Sequence, residues 1–319
     1  MGNVLVIDGP QSTYLEGLDI ERDVFGSEHT VELCRVRDEA EIDGRLEEAD
    51  VVISWHPVPL GASSFSRMRR CRGVVRAAVG YDNIDVSFAR SVDIPVANVP
   101  DYGTEEVADH AMAMLLYIVR NLGTTNTTAR AAWDWRDIGP VPRLRGLHLG
   151  LVGFGRIGTA MSMRARAFGM ICTFYDPWLT PGVEKSLGVE RVDDLDTLFS
   201  GSRIISVHTP SSPATRRLIG AKQLSLMPRD GILINTSRGD VIRQEELIEH
   251  LQTHAEFRAA LDVLSGEPAV PAAIRDSAQV LLSAHSAFYS DASLMEMRRK
   301  SALTAKCFFR GEEVRTIVN

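Results

Sequence analysis

Three side chains in this sequence could do chemistry together: Arg238, Glu267 and His285, spaced 29 and 18 residues apart. Each follows a run that reads as a strand: residues 231–235, 257–263 and 280–283. The fork of an arginine matches a carboxylate and can polarise a neighbouring carbonyl. A histidine, with a reference pKa of about 6.5, can supply the proton of a new hydroxyl. A carboxylate beside that histidine selects one tautomer and raises its pKa, so the ring stays protonated for reduction; in oxidation the neutral ring accepts the proton. Reduction of a 2-keto acid by hydride needs this set and a hydride donor. Alone, the arginine reads equally as a surface salt bridge and the histidine as a loop residue, and their joint placement favours chemistry.

The donor's binding site reads from residues 150–158, Gly-Leu-Val-Gly-Phe-Gly-Arg-Ile-Gly, in which Gly153, Gly155 and Gly158 fit G-x-G-x-x-G. Context makes the pattern specific. Residues 147–152 read as a strand, and Arg156 to Phe168 as a helix with apolar spacing at Ile157, Ala160, Met161, Ala165 and Phe168 that stops at Gly169. Gly153 allows the turn, Gly155 lets a pyrophosphate approach the backbone, and Gly158 lets helix and strand pack closely. The helix start offers free N–H groups to phosphate. A second strand, Ile171 to Tyr175, ends in Asp176, 18 residues past Gly158. A carboxylate there accepts from ribose hydroxyls and repels a 2′-phosphate, which favours NAD over NADP.

The elements around these residues alternate strand and helix. Val4–Ile7, Val31–Val36, Val51–Trp55, Val74–Val79 and Pro95–Val99 predict a first parallel sheet without a phosphate fingerprint, suited to binding substrate. Residues 79–85, Val-Gly-Tyr-Asp-Asn-Ile-Asp, follow its fourth strand and read either as a backbone ligand cradle or as a plain capped turn. Residues 98–103 read as a hinge. A long helix from about Thr104, apolar around most of its circumference, is expected to be buried between domains or subunits. Trp133 and Trp135 lie in a polar connection and fit a subunit contact or a local core. In the second sheet His208-Thr209-Pro210 follow a strand, and Asp262 could bind the nicotinamide amide or cap a turn. The final helix, about Asp291 to Phe309, is expected to pack back on the first domain.

The 319 residues suffice for two domains, and 45% apolar with 24% charged residues is ordinary globular composition. A net charge of −7 argues against a nucleic-acid surface; the cluster Arg67, Arg69, Arg70, Arg72 reads as a solvated helix end. Cys34, Cys71, Cys172 and Cys307 share no metal-ligand spacing, so no metal is expected, and they fit buried thiols in a reducing, cytoplasmic setting. The chain opens on a strand with no leader pattern, and its longest apolar run, Ala111–Val119, is too short to span a bilayer.

At these residues the chain resembles the D-isomer-specific 2-hydroxyacid dehydrogenases, over nearly its whole length. The match includes residues 80–85, Asn98-Val99-Pro100, Thr104 to His110, the fingerprint with Tyr175-Asp176-Pro177, residues 235–239, 260–263 with Glu267-Pro268, and His285. The resemblance implies an α/β fold of two parallel-sheet domains: a flavodoxin-like substrate domain, residues 1–99 plus 287–319, and a Rossmann NAD-binding domain, residues 100–286, with the active site in the cleft. It carries catalytic roles onto Arg238, Glu267 and His285. It implies NAD(H) contacts at Thr104, Gly153, Gly155, Arg156, Ile157, Gly158, Asp176, His208, Thr209, Pro210, Thr236, Arg238, Asp262 and His285. Substrate contacts are implied at Val79, Gly80, Tyr81, Arg238 and Phe288, and a homodimer through the cofactor domain. Residues 285–291 with 295–298 look most like the C-terminal-binding-protein branch, which includes corepressors. Ala284 replaces the family's common Pro, and Arg243 a common acidic helix cap. Glu267 stands where formate dehydrogenases carry Gln, which disfavours formate.

The reading is an NAD(H)-dependent oxidoreductase interconverting a 2-keto acid and a (2R)-2-hydroxy acid, with a small-molecule partner and neither nucleic acid nor membrane. The rival is an NAD(H)-responsive, corepressor-like binding protein with vestigial chemistry; the lack of a long disordered tail favours the enzyme. Oxidation of a small oxyanion such as a phosphorus oxyacid is a third reading, since Arg238 binds oxyanions generally. Trp55, His56, Tyr81, Tyr102 and Phe288 are expected to line a substrate pocket larger than glyoxylate needs.

Overall fold

The computed structural model describes residues 2–10 and 14–319. The chain divides into two compact units, residues 1–103 with 289–319, and residues 104–288. Both are α/β, each built on a parallel sheet.

The first unit holds β1 (Gly2–Asp8), β2 (His29–Arg35), β3 (Val51–Ser54), β4 (Val74–Arg76) and β5 (Val96–Asn98) in the order β2-β1-β3-β4-β5. This is the flavodoxin-like order. Every residue of β3, β4 and β5 is buried, as expected for strands covered on both faces. The helix Asp291–Arg310 joins this unit and packs on β3, β4 and the helix Asp19–Phe25. A buried ion pair anchors it. Arg298 donates to Glu21 at 2.7 and 3.0 Å, to Asp19 at 2.8 Å and to the Gly17 carbonyl at 2.8 Å. The arginine cluster at 67–72 is engaged internally: Arg67 with Glu47 and the Ile42 and Asp43 carbonyls, Arg70 with Asp50, and Arg72 with the Phe309 carbonyl.

The second unit holds β6 (His148–Val152), β7 (Ile171–Tyr175), β8 (Glu190–Arg191), β9 (Ile204–Val207), β10 (Ile232–Asn235), β11 (Arg258–Leu261) and β12 (Val280–Leu282). Their order, β12-β11-β10-β9-β6-β7-β8, is the doubly wound Rossmann order with one added edge strand. The order reverses between β6 and β9, so the segments leaving those strands flank the switch point. All strands being parallel, the loops after β6, β9, β10, β11 and β12 emerge at one edge.

The helix Thr104–Val119 is less uniformly buried than its composition predicts. Val107, Ala108, Ala111, Met112, Met114 and Leu115 pack toward the helix Arg156–Ala167, β10 and β11, while Glu105, Asp109, Ala113 and Tyr117 form an exposed stripe at four-residue spacing. Trp133 and Trp135, at 87% and 77% exposure, belong to no local core. Among the described residues, no helix is long and apolar enough to cross a membrane, and no group of three or more His, Cys, Asp or Glu could hold a metal ion.

Removing one partner of a buried ion pair costs about 3–5 kcal/mol, whereas replacing both with apolar groups can be neutral. Arg298→Leu is therefore expected to destabilise the first unit by about that amount in urea denaturation. Adding Glu21→Leu should recover most of the loss.

Candidate active site

The three glycines of the fingerprint meet different surroundings. Gly153 has φ +87°, and a Cβ there would lie 2.9 Å from the His208 carbonyl group. A Cβ on Gly158 would lie 2.3 Å from the Gly153 oxygen. Both glycines are therefore required by the fold. Gly155 is exposed, has φ −71°, and a Cβ there would meet nothing within 4 Å. Neither backbone nor packing calls for glycine at that position; clearance for a ligand does. It is the N-cap of the helix Arg156–Ala167, whose first N–H groups face the same side.

Asp176 is tied to this loop. Its Oδ2 accepts from the Phe154 N–H at 2.9 Å and its Oδ1 from the Trp178 N–H at 3.0 Å. The carboxylate is half-buried at the end of β7 beside the glycine turn. Phe154 and Phe174 stack beneath, their centroids 4.0 Å apart. Across the switch point His208 donates its backbone N–H to the Val152 carbonyl at 2.8 Å, and its Nε2 lies 2.9 Å from Ser206 Oγ. Burial pushes its pKa down to about 3, so the ring is neutral near neutral pH. Thr236 Oγ1, at the end of β10, is buried with no hydrogen-bond partner among the described residues. A glycine cleared for phosphate, a helix N-terminus, a carboxylate at the second strand and an orphaned hydroxyl fit a dinucleotide.

The loops after β10, β11 and β12 bring the three candidate catalytic residues to the same edge. Asn235 organises the first: its Oδ1 accepts from the Ser237 N–H and Oγ at 3.0 and 2.8 Å, and its Nδ2 donates to the Arg238 carbonyl at 2.9 Å. Arg238 is half-buried and donates to the Ser237 carbonyl at 2.8 Å. Gly239 then passes so close to the next loop that a Cβ would lie 2.0 Å from the Leu264 carbonyl carbon. That contact joins the loop bearing Arg238 to the loop bearing Glu267. Glu267 Oε1 and His285 Nδ1 lie 2.5 Å apart, and Glu267 Oε2 accepts from the Leu264 N–H at 3.3 Å. Since a carboxylate only accepts, Nδ1 of His285 carries a proton.

His285 has φ +50°, a left-handed backbone that costs an L-residue about 1–2 kcal/mol. Asp262 holds it there. The Asp262 carbonyl accepts from the His285 N–H at 2.8 Å, Oδ1 accepts from the Ser286 N–H at 2.9 Å, and Oδ2 accepts from the Ala287 N–H at 3.1 Å. Of the two roles open to Asp262 in the sequence, the geometry contains the turn cap. Ala284, in place of proline, precedes a turn already pinned by these bonds. Arg243 makes no side-chain cap; it donates to the Arg217 carbonyl at 3.0 Å and pairs with Glu246.

In the first unit the segment after β4 is an ordered turn. Asn83 accepts from Arg76 at 2.7 Å and donates to the Val58 carbonyl at 3.2 Å, and Asp85 caps the helix Val86–Ser91. Val79 and Tyr81 are exposed, and the Val79 and Gly80 N–H groups make no hydrogen bond among the described residues. Trp55 is 1% exposed, with its ring stacked on Tyr14, and Tyr102 is also buried. Trp55 thus contributes packing rather than an open pocket wall. Phe288 is half-buried at the end of the second unit.

The description "D-isomer specific 2-hydroxyacid dehydrogenase, NAD binding domain" matches residues 112–287. A glyoxylate reductase of Korarchaeum cryptofilum is 36% identical over 314 residues, 94% of this chain and 93% of that protein. The chain belongs to the D-isomer-specific 2-hydroxyacid dehydrogenase family. Its second unit is an NAD-binding Rossmann domain. A D-3-phosphoglycerate dehydrogenase of Methanocaldococcus jannaschii is 32% identical over 290 residues, 91% of this chain; the chain spans 55% of that relative's length. Among solved structures of the family, D-lactate dehydrogenase of Aquifex aeolicus, complexed with NAD and lactic acid, has a TM-score of 0.86 at 26% identity, covering 97% of this chain and 96% of that one.

The glycine contrast is testable. Gly155→Val is expected to weaken NADH binding about tenfold or more in fluorescence titration. Its melting temperature should move little, since a Cβ there meets no protein atom within 4 Å. Gly158→Val should instead lower the melting temperature or prevent folding. Equal loss of stability in both variants would contradict the assignment.

Proposed function

We propose that the protein interconverts a 2-keto acid and a (2R)-2-hydroxy acid. The observation that carries this reading is the 2.5 Å contact between His285 Nδ1 and Glu267 Oε1, on the same sheet edge as Arg238 and the dinucleotide loop. NAD(H), when bound, supplies or accepts the hydride at the substrate's second carbon. Arg238 binds the substrate carboxylate and draws electron density from the adjacent carbonyl oxygen. With Nδ1 committed to Glu267, His285 exchanges its proton through Nε2: it protonates the carbonyl oxygen in reduction and takes the hydroxyl proton in oxidation. Glu267 keeps the ring in that tautomer. In the first unit the Val79 and Gly80 N–H groups and Tyr81 are the candidate substrate contacts, and in the second unit Phe288 joins Arg238 as one. Thr104, Arg156, Ile157, Thr209, Pro210 and Thr236 complete the cofactor contacts assigned to the chain, and Asp176 favours NAD over NADP.

The activities for which the relatives are named, on glyoxylate, lactate and 3-phosphoglycerate, share a carboxylate beside the reacting carbon and differ in the rest of the substrate. That shared part is the one Arg238 addresses, so the substrate class is proposed at that level. We also propose a homodimer formed through the second unit, where Trp133, Trp135, Tyr117 and Leu122 are exposed apolar side chains.

The test is loss of absorbance at 340 nm with NADH and a panel of 2-keto acids, repeated with NADPH. Turnover of at least one acid with NADH, at higher kcat/KM than with NADPH, is expected. Arg238→Lys, which keeps the charge and loses the fork, should raise KM for the acid and lower kcat. No turnover across the panel in protein that binds NADH would contradict the reading.

A further inference from the structure

Asp262 is 2% exposed, and a carboxylate that deeply buried needs donors on both oxygens. Besides the two backbone N–H groups of the 286–287 turn, Oδ1 receives a hydrogen bond from Ser283 Oγ at 2.5 Å. Ser283 Oγ also lies 2.9 Å from His110 Nε2, on the helix Thr104–Val119. The serine hydroxyl carries one proton, which goes to the carboxylate, an acceptor only. The second contact can then be a hydrogen bond only if His110 Nε2 is the donor. His110 Nε2 is itself 3.7 Å from Asp262 Oδ1. A one-way chain of donors thus runs from His110 through Ser283 to Asp262, and from Asp262 to the turn that carries His285. All four residues lie within the second unit.

We propose that His110, 173 residues from Ser283 in sequence, is a positioning residue for the reaction. By donating to Ser283 it fixes the Asp262 carboxylate, and through it the backbone that aims the His285 ring at Glu267 and the reacting carbonyl. The catalytic part of this inference rests on the reading of His285 as the acid–base group. The clamp itself does not.

The test compares His110→Leu, Ser283→Ala and His110→Gln in the full chain; Gln places an N–H donor near the Nε2 position. Two readouts are needed: hydrogen exchange of the peptide spanning residues 283–288 without substrate, and kcat and KM for a 2-keto acid with the NADH Kd. His110→Leu and Ser283→Ala are expected to speed exchange at Ser286 and Ala287 and to lower kcat, each about tenfold, as loss of one hydrogen bond would. KM and the NADH Kd should change less. His110→Gln should restore most of both, and the Leu/Ala double variant should be no worse than either single one. Unchanged exchange in His110→Leu would overturn the clamp. Faster exchange with unchanged kcat, or a lower melting temperature as the sole effect, would reduce His110 to a packing role and overturn the proposal. If the wild type reduced no 2-keto acid, the reading of His285 would fail while exchange at residues 286 and 287 still decided the clamp.

Discussion

A carboxylate removed from water must be met by hydrogen-bond donors, and Asp262 finds three of its own in one short turn. The Ser283 hydroxyl and the Ser286 and Ala287 N–H groups converge on it, while its carbonyl takes the His285 N–H. That arrangement holds His285 in a left-handed conformation that an L-residue does not otherwise favour. With the backbone so held, the imidazole meets Glu267. The proposed chemistry depends on this one buried charge, which itself contacts Glu267 and Arg238 in none of these bonds.

The same economy appears at the glycines. Gly153, Gly158 and Gly239 each stand where a methyl group would strike backbone within 3 Å, so they set how closely loops approach. Gly239 matters most to the candidate catalytic set, because it lets the loops after β10 and β11 touch. Gly155 alone in the fingerprint is clear of its own protein, and the role proposed for it is to the cofactor.

Much of this was legible in the sequence because it depends on local order. The strand-turn-helix around Gly153, Gly155 and Gly158, the acidic end of β7, and the alternation that yields two parallel sheets are all short-range patterns. Glu267 and His285 were legible as residues at neighbouring strand ends. Contact between distant segments is the part that the sequence leaves open. The choice between nicotinamide ligand and turn cap for Asp262 depends on a turn 24 residues later. His110 reads as one polar residue on an apolar helix until β12 brings Ser283 beside it. Trp55 has the residue type of a pocket wall, yet it lies against Tyr14 in the first unit's interior.

His285 is assigned the proton exchange in the step that moves the hydride. Single-turnover oxidation of enzyme-bound NADH by a 2-keto acid, compared between the wild type and His285→Gln, tests it most directly when NADH affinity is measured on the same samples. The expected result is a fall in the hydride-transfer rate of about a hundredfold or more, in line with loss of general acid catalysis, with NADH affinity nearly unchanged. An equal rate in the two proteins would remove His285 from the mechanism and contradict the account.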